Sequence, residues 1–220
     1  INRMGFNNHG VDALIANVKR AKFQGVLGIN IGKNATTPIE NAVDDYLTCL
    51  TKVYDHASYI TVNISSPNTK NLRALQSEDE LSKLLGTLKE EQARLHQQRG
   101  RYVPMAVKIA PDLNLEEIEA IAQVVTQVEM DGVIATNTTV DKSSLGNHPL
   151  AGEAGGLSGL PVCAQSEYVL QHLVYALKGK LPVIGVGGIV SGQDAATKKR
   201  LGASAVQVYS GMIYQGPSLV

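Results

Sequence analysis

Short apolar runs, most of them rich in β-branched residues, recur at 26–31, 59–64, 105–109, 133–135, 183–186 and 205–208. They lack polar alternation, which is how strands covered on both faces of a parallel sheet read. Between them the period lengthens. Val11, Leu14, Ile15 and Val18 fall at i, i+3, i+4 and i+7, as do Leu81, Leu84, Leu85 and Leu88, while Leu115, Ile118, Ile121 and Val125 stay close to that spacing. Each set lays an apolar stripe along one helix face. Ser77 with Glu80 and Asn114 with Glu117 have capping-box spacing and mark two helix starts. Further helices are expected over 41–56, 165–177 and 191–201.

Strands that alternate with helices make a parallel α/β protein. Periodicity does not choose between an open doubly wound sheet and a closed barrel, but the strand ends do. Nearly every apolar run finishes in a polar or glycine cluster: residues 30–33, 63–69, Lys108, 136–138, 185–188 and 209–211. A barrel gathers all such ends at one mouth, whereas an open sheet gathers only those near its switch point. The expectation is a (β/α)8 TIM barrel with about six of its eight units in this chain. The irregular, glycine-rich stretch 141–161 is long enough to be a lid or active-site loop.

Composition narrows the ligand. The chain has 220 residues, 44% hydrophobic and 18% charged, enough for one domain over 1–220. Lys plus Arg and Asp plus Glu number 20 each, so no overall positive field draws it to nucleic acid. A small neutral or anionic ligand is expected. Cys49 and Cys163 lack disulfide or metal-site spacing, and no metal is expected. A reducing setting fits that usage, and no apolar stretch approaches the ~20 residues of a membrane span. The chain opens on Ile1 and closes on GPSLV, and both ends read as cut.

Four features carry candidate chemistry. GVGGI (185–189) and YSGM (209–212) close successive strands, and their glycines free backbone N–H groups to approach a phosphate. Lys108 ends an apolar strand, where an ammonium is costly unless it faces an anion or an electron-rich group. It can balance charge on a cofactor, form a Schiff base or reach solvent. NISSPNT (63–69) and Thr136-Asn137-Thr138 offer amides and hydroxyls, which suit a ring with alternating C=O and N–H, such as a pyrimidine. Turn capping is the plainer reading of either cluster alone. No acid–base carboxylate pair or His stands at these ends, and Asp112 reads as a start signal for the next helix. Proton transfer then falls to a hydroxyl or a lysine. Ser66, stiffened by Pro67, is the sharpest candidate, with a relay through Thr69 or water because a serine is a poor base.

The stretches INRMGFNN (1–8), GVLGINIGKN (25–34), NISSPNT (63–69), VKIAPDL (107–113), GVIATNTT (132–139), GGLSG (155–159), IGVGGI (184–189) and QVYSG (207–211) resemble, in order, the signatures of the dihydroorotate dehydrogenases. The resemblance is to their quinone-using, membrane-associated class and runs along essentially the whole chain. It implies a flavoprotein barrel with FMN that oxidises dihydroorotate to orotate in pyrimidine synthesis. By similarity Ser66 is the catalytic base, where the soluble class carries Cys. Asn2, Asn63, Asn68, Asn137 and Thr138 then hold the substrate, and Arg3, Met4, Gly5 and Phe6 complete a wall with Asn2. Asn30, Asn63, Lys108, Thr136, Gly159, Gly188, Tyr209 and Ser210 hold FMN. The resemblance also implies a peripheral place on the cytoplasmic side of the cell membrane. It puts the family's N-terminal helical extension, first strands and C-terminal end outside the chain. One departure stands out: Lys70-Asn71-Leu72-Arg73 replaces the family's Pro-Gly-Leu-Arg. The alternatives are another pyrimidine-directed flavin barrel, similar to dihydrouridine synthases, and a non-catalytic barrel that binds a phosphate-bearing ligand.

Overall fold

The computed structural model describes residues 1–220. Its strands are β1 (Gly28–Ile31), β2 (Tyr59–Asn63), β3 (Met105–Ile109), β4 (Gly132–Ala135), β5 (Val183–Val186) and β6 (Ala205–Gln207). They form one six-stranded sheet in sequence order, with every neighbouring pair parallel. An order that never reverses has no switch point. Right-handed crossovers then advance in one direction and put the connecting helices on one face, so the sheet is an arc of a barrel. The open doubly wound alternative is excluded, and the fold is a partial TIM barrel, curled as a half-barrel.

The helices are α1 (Val11–Ala21), α2 (Ala42–Val53), α3 (Glu78–Arg99), α4 (Leu115–Gln127), α5 (Cys163–Leu177), α6 (Gly192–Arg200) and α7 (Ser210–Gln215). Leu81, Leu84, Leu85 and Leu88 on α3 are fully buried or nearly so, each contributing about 1.5–3 kcal/mol of apolar burial. They join Ile29, Ile60, Val62, Val107, Ile109 and Val133 in a 36-residue core between sheet and helices. By contrast, the apolar stripe of α1 leaves no residue buried.

The inner face of the sheet carries a much smaller cluster, Ala106, Ile134 and Val186 with Ile184 packed on it. At the outer strands the inward positions Gly28, Asn30, Ala205 and Gln207 are exposed. Along β2 and β3 the inward register ends with Asn63 beside Lys108, so two polar side chains end at one level of the mouth.

Of the two expected capping boxes, the one at Asn114 is present: its Oδ1 accepts from Glu117 N at 2.9 Å, and Asn114 N donates to Glu117 Oε2 at 2.8 Å. The Ser77 box is not formed. Its hydroxyl donates instead to Ala74 O at 3.1 Å, tying down the 3₁₀ turn Leu72–Gln76 that enters α3.

Candidate active site

A cleft of about 490 Å³ opens at the C-terminal ends of the strands. Lys108 reaches it from β3, and the loop after β4 brings Thr136, Asn137 and Thr138. Asn2, Met4 and Gly5 form one side, and Gly159, Gly188, Tyr209 and Ser210 lie at the β5–β6 end. Parts of the sequence-derived cofactor and substrate sets therefore line one cavity, while Asn63, Ser66 and Asn68 are not among its lining residues.

At the β5–β6 end the backbone is shaped for close approach. Gly159 has φ +76°, Gly187 +108° and Gly188 +75°, and a Cβ on Gly188 would fall 2.4 Å from Cys163 Cα. The N–H groups of Gly159, Gly188, Tyr209 and Ser210 meet no acceptor in the chain. Ser210 Oγ donates to Ser158 Oγ at 2.9 Å, adding hydroxyls to the same corner. Unpaired N–H groups and hydroxyls without a nearby carboxylate are the donor set an anion such as phosphate requires.

The Lys108 ammonium makes no hydrogen bond or ion pair, and burial pushes its pKa below the usual lysine value. An ammonium so placed favours an anion or electron-rich ring beside it. The phosphate cradle at one end and this lysine on the floor fit a flavin mononucleotide by donor chemistry.

The substrate side is built by hydrogen bonds between loops. Asn63, 6% exposed, is fixed from behind, where Tyr46 Oη donates to its carbonyl at 2.6 Å. Its Oδ1 accepts from Ser65 N at 3.2 Å, and Asn137 Nδ2 donates to Ser65 Oγ at 3.1 Å. Ser65 Oγ in turn donates to Lys108 O at 2.7 Å. Asn68 Nδ2 donates to Asn2 O at 3.2 Å and to Asn2 Oδ1 at 3.1 Å. Ser66, 7% exposed, thus lies between residues tied to two sides of the cleft. Its Oγ accepts from Asn68 N at 3.3 Å, while no hydrogen bond joins it to Thr69.

The remaining predicted residues lie apart from this cavity. Arg3 is exposed and pairs with Glu153 at 2.6 Å. Phe6 and Asn30 line a second cleft of about 480 Å³ beside β1. The 141–161 stretch is held across the mouth by two antiparallel bridges, Asn2 to Gly156 and Thr139 to Leu157.

Asp112 is not a helix-start residue, because Asn114 occupies that position. Its carboxylate takes Arg73 Nη1 at 2.6 Å, Gln165 Nε2 at 3.2 Å and the Thr139 hydroxyl. Arg73 also donates to Ser65 O and Thr138 O. Neither role was visible locally, since Arg73 meets Asp112 across 39 residues and Thr138 across 65. The Lys70-Asn71 departure is accommodated: Asn71 takes φ +59°, ψ 7°, the left-handed backbone that glycine adopts freely and Asn tolerates best among other residues.

A half-barrel of parallel strands with unpaired N–H groups and a desolvated lysine at its strand ends defines a member of the TIM-barrel class. A family profile for dihydroorotate dehydrogenase matches residues 1–220, and the chain belongs to that family. It is 72% identical over its whole length to a dihydroorotate dehydrogenase (quinone) of Neisseria meningitidis serogroup C, covering 66% of that relative. It is 65% identical to the protein of that name from Chromobacterium violaceum, covering 64% of it. The crystal structure of an Eimeria tenella DHODH in complex with ferulenol superposes with a TM-score of 0.92 at 36% identity, over all of this chain and 64% of that one. The chain thus spans just under two thirds of these relatives' length.

Proposed function

We propose that the protein oxidises dihydroorotate to orotate in pyrimidine synthesis, with FMN as its cofactor and a quinone as electron acceptor. The observation that carries this reading is the single cleft that holds an anion cradle at one end and Lys108 beside the carboxamide of Asn137 at the other. The names of the relatives support the substrate and the acceptor.

FMN, when bound, supplies an acceptor for the hydride leaving carbon 6 of the substrate. The N–H groups of Gly159, Gly188, Tyr209 and Ser210 hold its phosphate, Thr136 and Asn63 contribute polar contacts, and Lys108 stands as counter-charge near the ring. Asn2, Asn68, Asn137 and Thr138 hold the dihydropyrimidine ring and its carboxylate. Ser66 Oγ, oriented by the Asn68 N–H, takes the carbon 5 proton and passes it to water. Neutral amides suit this task because they match a ring of alternating donors and acceptors.

Quinone use places the protein in peripheral contact with the cytoplasmic face of the cell membrane; no helix of the chain is long and apolar enough to cross a membrane. Orotate formation from dihydroorotate, followed by its ultraviolet absorbance with a short-chain quinone present, tests the reading. Steady formation supports it; none, with FMN bound and quinone present, rejects it.

A further inference from the structure

Behind the glycine cradle lies a cation with no part in the reaction above. Lys198 on α6 has 0% exposure, rare for a lysine. Its stem crosses β5, where a Cβ on Gly185 would come within 3.2 Å of Lys198 Cδ, so the strand carries glycine where the lysine passes. Lys198 Nζ donates to Ser166 Oγ at 2.7 Å. That hydroxyl is shared between the carbonyls of Cys163 at 2.8 Å and Gly187 at 3.0 Å. Gly187 leads into Gly188, and both take positive φ in the cradle.

The ammonium has three donors and one acceptor in the chain. No carboxylate is within ion-pair distance. Asp194 and Glu167 act from farther away, and both are engaged elsewhere: Asp194 accepts from Ser191 Oγ at 2.8 Å and Glu167 from Cys163 Sγ at 3.4 Å. A buried charge without its counter-ion is costly. An anion in the cradle, on the other side of the Gly187–Gly188 turn, would offset that cost.

We infer that Lys198 is a positioning residue of the anion cradle: through Ser166 it sets the Gly187–Gly188 turn, and its charge is balanced by the phosphate bound there. The inference rests on the FMN reading and deepens it by naming a residue that responds to the phosphate without touching it. Flavin-stripped wild type, Lys198→Met and Ser166→Ala are titrated with FMN and with riboflavin, which lacks the phosphate. Thermal midpoints are recorded without ligand and with inorganic phosphate.

Lys198→Met is expected to bind FMN about tenfold more weakly, a loss of about 1.4 kcal/mol, and riboflavin as tightly as wild type. Its ligand-free midpoint is expected to be no lower than wild type, and phosphate to raise it less. Ser166→Ala is expected to lose FMN affinity selectively as well. Equal loss of both flavins, or a Lys198→Met protein that does not fold, makes the lysine structural and overturns the inference. If wild type binds neither flavin, the cofactor reading fails alone and the phosphate midpoints still decide: equal protection of wild type and Lys198→Met rejects the role, and smaller protection of the variant upholds it.

Discussion

Arg73 Nη1 donates to Asp112 Oδ2 at 2.6 Å, and the same guanidinium reaches Ser65 O at 3.2 Å and Thr138 O at 2.8 Å. One planar fork therefore joins the loop after β2, the loop after β3 and the loop after β4. A lysine keeps the charge but loses the fixed geometry. Arg73→Lys is expected to lower kcat/KM for dihydroorotate about tenfold to a hundredfold, the cost of small misplacement at a reacting centre, with FMN content unchanged. Steady-state kinetics beside flavin quantification checks this.

Ser66 is expected to act on the substrate and not on the cofactor. Ser66→Ala should retain FMN and slow anaerobic flavin reduction about 10²- to 10⁴-fold, the usual range for losing a general base. Stopped-flow absorbance with dihydroorotate measures it.

Lys108 gives a pH signature. Burial lowers its folded pKa below 10.5, so between that lowered value and 10.5 the unfolded chain binds more protons than the folded one. Stability from this group therefore rises with pH across that window. Relative to Lys108→Met, flavin-free wild type should gain stability as pH is raised through it, as read from denaturant unfolding at several pH values.

The 3₁₀ entry into α3 and the start of α4 separate two superficially equal sequence signals. Asn114→Ala should lose about 1 kcal/mol, the usual value of an N-cap, whereas Ser77→Ala, whose side chain caps no helix N–H, should stay within about 0.5 kcal/mol, as surface changes do. Urea midpoints of the two variants decide it.

At Asn71 the left-handed backbone makes the direction of substitution clear. Asn71→Gly should be neutral or slightly stabilising, and Asn71→Val should cost at least about 1 kcal/mol. The same urea titration reads both.

The strands were legible because burial on both faces leaves an unbroken apolar run, as in Met105–Ile109. Their convergence was legible from the polar and glycine residues that close each run, and Lys108, Asn137, Gly188 and Ser210 do line one cleft. The ties between loops were not legible. Arg73 and Asp112 carry no local period, and Asp112 near a helix start mimics a cap that Asn114 supplies. Lys198 was hidden for a similar reason: in sequence it belongs to a polar run, Thr197 to Arg200, that reads as solvated, and only packing of α6 on Gly185 buries it. Arg3 stood within a matching motif, yet its partner Glu153 lies 150 residues away.

The central claim is that dihydroorotate reduces a flavin held in this cleft and that a quinone takes the electrons away. The most direct measurement is the visible flavin spectrum of the anaerobic protein before and after adding dihydroorotate, then after adding a quinone or a nicotinamide nucleotide. The account predicts bleaching by dihydroorotate and return of the oxidised band with the quinone alone. A flavin that stays yellow with dihydroorotate, or one reoxidised by the nicotinamide and not by the quinone, would contradict it.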